Sequence, residues 1–310
     1  MTRGAGETDQ AAQGLGGAAE PQAKAGHDPE GVVRSFPSPN DVTTSGFLVC
    51  VSEGVGEASV TFHGKGLRRK DDDPEARLLA RIAQFVSEDG VLNTGALIQY
   101  ELDRRARNER RAQQRAVKSV RQFCVRWGLT KMWTFTFKEA QWDKATVKAL
   151  MNAFLMRWRM LNGNKAFPYL YVLELHPEGH GYHVHVAVPG GMFTDFFQLR
   201  RVWGHGRIRF DVNNRRSGES RNDARRLASY LSKYLAKDLD IDHERGEHRY
   251  EPAQGFDVQT TRRWFPTFQE AVEFLSYRVA GEKFVEVWSD YEIEDWAGPP
   301  TWLFRSEGVV

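Results

Sequence analysis

The segment that decides the fold is PYLYVLELHPEGHGYHVHVAVP, residues 168–189. Its two ends, PYLYVLELH and YHVHVAVP, are rich in Val, Leu and Tyr, a composition typical of β-strands. The five residues PEGHG between them include Gly179 and Gly181. Short connections that contain glycine join antiparallel strands. The segment therefore predicts a β-hairpin.

Three polar side chains interrupt the apolar strands of this hairpin. His183 and His185 are two residues apart, so they project from one face of a strand, with Cα atoms about 6–7 Å apart. Glu174 lies among Val and Leu residues in the other strand, where an unpaired carboxylate is costly. Two imidazoles and a carboxylate suit Mn²⁺ or Mg²⁺, and imidazole also accepts Zn²⁺. The pattern favours a metal site over structural histidines, with His176 and His180 as alternatives to Glu174.

A second pattern, YLSKYLAK at residues 230–237, lies in a segment without Gly or Pro that predicts a helix over residues 222–237. Tyr230 and Tyr234 are four residues apart and share a helix face, and each is followed three residues later by a lysine. A phenol has a pKa near 10 in water, so a tyrosine nucleophile needs positive charge nearby. Lys233 meets that need. Leu227, Leu231 and Leu235 are expected to face the core.

The two patterns together indicate one class of reaction. A divalent cation polarises a phosphodiester, and a helix-borne tyrosine attacks the phosphorus to form a phosphotyrosyl bond. Such a bond conserves the energy of the broken diester and permits resealing. A second tyrosine on the same helix face permits a second transfer without release of the DNA.

The other elements follow from local periodicity. Residues 46–62 predict two strands around a Gly-containing turn, residues 74–126 predict helices interrupted near residues 88–90, and MWTFTF at residues 132–137 predicts a strand. Residues 144–161 predict an amphipathic helix, and residues 207–212 predict a further strand. Strands in hairpins interspersed with helices indicate an α+β fold with an antiparallel sheet.

Charge is distributed unevenly along the 310 residues, although 43 Lys+Arg against 41 Asp+Glu leave a net charge of only +2. Residues 101–131 carry ten basic and three acidic side chains, whereas residues 238–310 carry seven basic and sixteen acidic ones. The basic segment 104–131 indicates a phosphate-binding surface, although a solvated helix face is the alternative. We therefore expect salt-sensitive DNA binding by the middle of the chain.

Composition excludes several classes of protein. Two cysteines cannot staple a chain of this length, and we expect Cys50 and Cys124 to be thiols. No apolar run reaches the roughly 18 residues of a membrane span, so no membrane partner is expected. Residues 1–31 are dominated by Gly, Ala and small polar residues and lack the apolar core of an export signal, which favours the cytoplasm.

These patterns divide the chain into four segments. They are a disordered tail (1–45), a strand and basic helical region (46–130), the catalytic core (131–240) and an acidic C-terminal extension (241–310). Candidate DNA contacts are the arginines near Trp203 and in the tyrosine helix: Arg200, Arg201, Arg207, Arg225 and Arg226. Arginine beside tryptophan suits phosphates and stacked bases of single strands.

Three motifs in order, WTFTF at residues 133–137, HVH at 183–185 and YLSKYLAK at 230–237, resemble those of HUH endonucleases. The chain is most similar to the two-tyrosine rolling-circle replication initiators of phages and plasmids, over residues 131–237. The resemblance implies a central antiparallel sheet of about five strands with flanking helices. It also implies Mg²⁺ or Mn²⁺ on His183 and His185, with Glu174 as third ligand.

The same resemblance implies an activity. Tyr230 would nick single-stranded origin DNA, form a 5′-phosphotyrosyl link, leave a free 3′-OH and later allow the strand to be rejoined. We favour Tyr230 as first nucleophile because Lys233 would lie between the two phenols, although Tyr234 also has a lysine three residues later. The sequence has no GxxxxGK[ST] motif, so a helicase and a polymerase of a bacterial host are expected partners.

Other functions remain open at this point. A transposase or plasmid relaxase would use the same chemistry, although their usual motif order or length differs. A DNA-binding replication or repressor module without catalysis would use residues 104–131 alone. A histidine-triad hydrolase needs a third histidine where the sequence has Ala187. The oligomeric state is not indicated by any motif.

Overall fold

The computed structural model describes residues 45–64, 74–176, 179–192, 195–210, 220–237, 250–289 and 299–307. The predicted tail, apart from Ser45, lies outside the described residues. Within them the strands are β1 (Gly46–Ser52), β2 (Glu57–His63), β3 (Leu129–Phe135), β4 (Leu170–Leu175), β5 (Tyr182–Pro189), β6 (Ile208–Phe210), β7 (Tyr250–Pro252), β8 (Thr260–Phe265), β9 (Phe284–Ser289) and β10 (Thr301–Ser306). The helices are α1 (Pro74–Ala83), α2 (Thr94–Arg126), α3 (Lys144–Leu161), α4 (Phe196–Trp203), α5 (Arg221–Lys237) and α6 (Phe268–Arg278).

A five-stranded antiparallel sheet, the central sheet, has the order β6-β3-β5-β4-β7. Together with the helices it confirms the predicted α+β class. Strands β4 and β5 are the predicted hairpin, with Glu174 paired to His183. Gly181 has φ +73°, and a Cβ atom there would collide with the backbone of Gln141. Glycine is therefore required where this hairpin turns.

The two faces of the central sheet carry different layers, because successive side chains on a strand point to opposite sides. On one face, Trp133, Phe135 and Val184 are buried in a cluster with residues of α3 and α4. On the other face, a second cluster joins β3, β4 and β5 to helices α2 and α5. His183 and His185 alternate with Val184 and therefore lie on the α5 side of the sheet.

Helix α3 begins and ends where the sequence predicts. Asp143 caps its first turn by accepting hydrogen bonds from the backbone N–H groups of Ala145, at 3.3 Å, and Thr146, at 2.8 Å. Its buried side chains are Val147, Met151, Phe154, Leu155 and Trp158. They form most of the layer that covers the central sheet on the face away from α5.

A second antiparallel sheet has the order β8-β1-β2-β10-β9. It unites strands from both ends of the described chain, which the sequence divides into separate segments. Only β1 and β2 were expected from the sequence. The core of this sheet consists of Val49, Val51, Ala58, Val60 and Phe265, packed against Ala271 and Leu275 of helix α6.

Helix α2 spans 33 residues, which is about 50 Å at 1.5 Å per residue. Its last turns are buried through Val120, Phe123, Cys124 and Val125. Its first turns form a helical hairpin with α1, where the rings of Phe85 and Tyr100 lie 5.3 Å apart. The break between α1 and α2 confirms the interruption predicted near residues 88–90.

Cys50 and Cys124 are free thiols, as expected. Cys124 is fully buried, and this burial raises its pKa to about 12. Across the described ranges no helix has the length and apolarity that a bilayer crossing requires.

The two sheets are joined to helices α2 and α5 through one buried carboxylate. Glu57, whose side chain is 3% exposed, accepts hydrogen bonds at 2.8 Å and 3.1 Å from Arg121 of α2. Arg305 of β10 and Arg225 of α5 also lie within 4 Å of Glu57 Oε1. Arg225 donates a further hydrogen bond to the Ser306 carbonyl, at 3.0 Å. We call Glu57, Arg121, Arg225 and Arg305 the arginine clamp.

The arginine clamp predicts a large stability difference between two Glu→Gln substitutions. Glu57→Gln leaves three buried or half-buried guanidinium groups without their carboxylate, and should lower the free energy of unfolding by about 3–5 kcal/mol. The control is Glu53→Gln, which removes a 2.6 Å ion pair with Arg278 at a carboxylate that is 41% exposed, and should cost less than about 1 kcal/mol. Urea unfolding measures both. Equal costs would contradict the structural role assigned to Glu57.

Candidate active site

The imidazole of His185 lies at the centre of the candidate site and is 4% exposed. Its Nε2 donates to Glu174 Oε2 at 2.8 Å, because an ionised carboxylate can only accept. Its Nδ1 then accepts from Thr134 Oγ1 at 3.1 Å. One ring face stacks on Tyr234, with centroids 3.9 Å apart and planes 10° apart. Strands β3, β4 and β5 and helix α5 therefore meet at this side chain.

His183 lies directly across the hairpin from Glu174 in the strand register. It is half-buried, and its ring centroid is 5.0 Å from that of His176, which in turn lies 5.2 Å from His180. Burial, followed by the nearby imidazoles of His176 and His185, lowers the pKa of His183 below its ordinary value. His183 is therefore neutral at pH 7, which is the state in which imidazole binds a metal.

The two tyrosines of α5 differ in exposure and in hydrogen bonding. Tyr234 is 8% exposed and donates its hydroxyl hydrogen to the hydroxyl oxygen of Tyr230, at 2.7 Å. Tyr230 is 37% exposed, and the Nζ of Lys233 lies 5.3 Å from its ring centroid. The exposed phenol is thus the one that receives both a hydrogen bond and a neighbouring positive charge.

Their positions follow from the periodicity of α5. Leu227, Leu231 and Leu235 are buried, as the sequence predicts, and they seat the helix on the central sheet. Tyr230 and Tyr234 occupy the adjoining stripe. Because Tyr234 stacks on His185 and bonds to Tyr230, the exposed phenol lies one side chain away from the Glu174 and His185 pair.

The donor atoms of this site fit a divalent cation by type. Glu174 supplies carboxylate oxygen, and His183 and His185 supply imidazole nitrogen. Among the described residues no three such side chains are arranged to hold a metal ion, since His185 and Glu174 are hydrogen-bonded to each other. Their 2.8 Å separation is close to the roughly 3.3 Å between adjacent ligands of a tetrahedral Zn²⁺, so little movement would be needed.

Thr134 contributes to the site but was not predicted as a site residue. It pairs with His185 in the register of β3 and β5. The strand pattern WTFTF places it on the face opposite Trp133 and Phe135, but the sequence does not show which strand lies beside β3. A hydroxyl both donates and accepts, so Thr134 can bond the His185 Nδ1 in either tautomer.

The predicted arginine contacts separate into two groups. Arg200, Arg201, Arg207 and Arg226 are exposed, with the Arg200 guanidinium 5.2 Å from the Phe196 ring centroid. Arg225 does not fit the prediction, because its guanidinium bonds to the Ser306 carbonyl and belongs to the arginine clamp.

The predicted stacking of bases on Trp203 is wrong. Trp203 is fully buried, contacts Phe135 and Phe154, and donates from Nε1 to the Thr136 carbonyl at 3.2 Å. Its ring therefore belongs to the core between the central sheet, α3 and α4.

Residues 130–239 match the family model of replication-associated proteins of the ORF2 type. The match covers 110 of the 310 residues and includes β3, the hairpin and α5, which carry Thr134, the histidines and the tyrosines. It supports a role as a replication initiator. No curated protein and no solved structure matches the chain.

The contacts of His185 predict a stability cost at Thr134. Thr134→Val keeps the side-chain shape but leaves the buried Nδ1 without its hydroxyl partner, and should lower the free energy of unfolding by about 1–3 kcal/mol. The control is Thr136→Val, whose hydroxyl bonds the Arg207 carbonyl at 3.3 Å in a more exposed position and should cost less. Denaturant unfolding measures both, and a larger cost at Thr136 would contradict the role of Thr134.

Proposed function

We propose that the protein initiates rolling-circle replication by nicking single-stranded origin DNA with Tyr230. The nick leaves a 5′-phosphotyrosyl link on the protein and a free 3′-OH that primes synthesis, and the strand is later rejoined. One observation carries the proposal: Tyr234 both stacks on His185 and bonds to the Tyr230 hydroxyl. That contact brings a pair of phenols to the Glu174 and His185 pair within the segment that matches replication-associated proteins.

The proposed step is a transesterification that balances without water. The Tyr230 phenol loses its proton to solvent, to which its side chain is open. Its oxygen attacks the phosphorus, so that an Oη–P bond forms and the P–O3′ bond breaks. The departing 3′ oxygen takes up a proton and becomes the free hydroxyl. Because one phosphodiester replaces another, the energy of the bond is kept for rejoining.

The neighbours of Tyr230 favour its phenolate form. The hydroxyl of Tyr234 donates to the oxygen that becomes negative, and a hydrogen bond to a charged acceptor is stronger than one to a neutral acceptor. Lys233 places an ammonium group beside the same ring. Both effects activate a phenol as a nucleophile.

Glu174, His183 and His185 are the residues that would hold a divalent cation, Mg²⁺ or Mn²⁺. Such a cation supplies charge stabilisation for the oxygens of the phosphodiester. Thr134 accepts the Nδ1–H of His185 when Nε2 serves as ligand, which fixes the ring orientation. Hydrogen-bonded partners of this kind maintain the basicity of a histidine ligand.

Tyr234 is the proposed second nucleophile. Its hydroxyl is 2.7 Å from that of Tyr230, so a phosphate carried on Tyr230 lies next to it. A second transfer on the same helix face would then rejoin or exchange strands without release. Unwinding and synthesis fall to a helicase and a polymerase of the bacterial host.

Single tyrosine substitutions test the assignment of the first nucleophile. Tyr230→Phe should reduce formation of the covalent DNA adduct by at least about 10³-fold, because the attacking oxygen is removed. Tyr234→Phe should slow it only about 5- to 15-fold, the value of one hydrogen bond of roughly 1–1.5 kcal/mol. The substrate is a labelled library of single-stranded oligonucleotides that tiles the DNA element encoding the chain, and adducts are counted on denaturing gels.

The matched control is Tyr277→Phe, because Tyr277 is exposed on α6, away from the site. It should form the adduct at the wild-type rate. Adduct formation that survives Tyr230→Phe combined with Tyr234→Phe would contradict the tyrosine mechanism. Failure of the wild-type protein to form any adduct would leave a non-catalytic DNA-binding module as the better function.

Metal removal tests the proposed ligands. EDTA should abolish cleavage, and added Mn²⁺ or Mg²⁺ should restore it. Glu174→Gln, His183→Ala and His185→Ala should each weaken Mn²⁺ binding, measured by electron paramagnetic resonance of free Mn²⁺, by at least about tenfold. The control is Glu139→Gln, an exposed carboxylate after β3, which should bind Mn²⁺ as the wild type does. Cleavage in EDTA would refute the metal role.

A further inference from the structure

Helix α2 carries a row of cations that the proposed nicking chemistry does not use. Arg107, Arg111, Arg115 and Lys118 follow one another at intervals of three or four residues and therefore share one helix face. All four are exposed. The opposite face of the same helix carries the buried Val120 and Cys124. We call the four cations the α2 stripe.

The charges of the α2 stripe are not neutralised within the part of the chain that the structure describes. None of the four forms an ion pair there, whereas Arg104 pairs with Glu101 and Arg121 pairs with Glu57. Asp103 accepts a hydrogen bond from Gln99, at 3.0 Å. The stripe therefore presents four positive charges to solvent on one side of the helix.

The dimensions of the α2 stripe match a nucleic-acid backbone. From residue 107 to residue 118 the helix rises about 17 Å. Double-stranded DNA presents about ten phosphate charges over that length, at roughly one per 1.7 Å. Four cations in a straight row can therefore each meet a phosphate along the duplex surface.

The absence of aromatic residues indicates which form of DNA fits. No Phe, Trp or Tyr occurs in residues 101–122. Upstream of that segment, the Tyr100 ring is covered by the Arg107 guanidinium, at 5.9 Å. Surfaces that bind single strands combine cations with aromatic rings on which bases stack. A row of cations alone contacts phosphates, which a duplex displays while its bases stay stacked inside.

We propose that the α2 stripe binds the sugar-phosphate backbone of duplex DNA beside the nicking site, without reading sequence. This inference rests on the proposed function for its choice of DNA as the partner. Helix α2 packs on α5 in one buried cluster that includes Val120, Leu227 and Leu231. The stripe is thus joined through a packed core to the helix that carries Tyr230, and it holds duplex DNA while the active site works on a single strand.

Salt dependence provides the test, because each phosphate contact contributes about 0.9 to the slope of log K against log [salt]. The full chain is titrated with a fluorescent duplex of about 20 base pairs and arbitrary sequence, from roughly 50 to 300 mM KCl. Arg111→Gln combined with Arg115→Gln should reduce the slope by about 2 and weaken binding roughly 10- to 100-fold at about 0.1 M salt. Arg111→Lys combined with Arg115→Lys should keep the slope, since it keeps the charges.

The matched control is Arg157→Gln combined with Lys165→Gln, two exposed cations near and after the end of α3. It removes the same charge and should leave the slope unchanged. An unchanged slope in the α2 variant, an equal loss in the control, or a loss seen only with a single strand of the same length would overturn the proposal. A wild-type protein that forms no DNA adduct but shows the expected slopes would refute the proposed function and support this surface.

Discussion

The imidazole of His185 contacts a strand on either side of it and the helix that covers it. Glu174 holds its Nε2, Thr134 holds its Nδ1, and the Tyr234 ring stacks on its face. A buried polar group is costly unless its hydrogen bonds are made, and His185 makes both. The same contacts determine where the second tyrosine lies and, through the bond between the two hydroxyls, where Tyr230 lies. The position of the proposed nucleophile therefore depends on one histidine of the central sheet.

Helix α5 is held at a second point by the arginine clamp. Arg225 precedes Tyr234 by two and a half turns, which is about 13.5 Å along the helix. At that end it contacts Glu57 and bonds to the Ser306 carbonyl, both of the second sheet. Two anchors on one helix limit both its sliding and its rotation. The second sheet thus has a role in positioning the site, although it contributes no side chain to the candidate metal ligands or nucleophiles.

Local patterns in the sequence predict the hairpin, α3 and α5 because each buries its apolar side chains at its own period. The pairing of Glu174 with His183 follows from the hairpin alone. Contacts between distant segments are not encoded locally, and there the sequence falls short. Strands β8 to β10 carry charged residues among apolar ones and pair with the N-terminal strands from the far end of the chain. Arg225 and Trp203 have the sequence context of surface residues, and only the fold shows that one joins the arginine clamp and the other fills the core.

The most direct measurement is to locate the DNA on the protein. Trypsin separates the two candidates, because cleavage after Arg226, Lys233 and Lys237 yields LASYLSK with Tyr230 and YLAK with Tyr234. The covalent adduct formed in the first turnover is digested with trypsin and nuclease, and the peptides are weighed by mass spectrometry. We expect the nucleotide mass on LASYLSK. A nucleotide found only on YLAK would contradict Tyr230 as the first nucleophile, and one found on neither peptide would contradict nicking by helix α5.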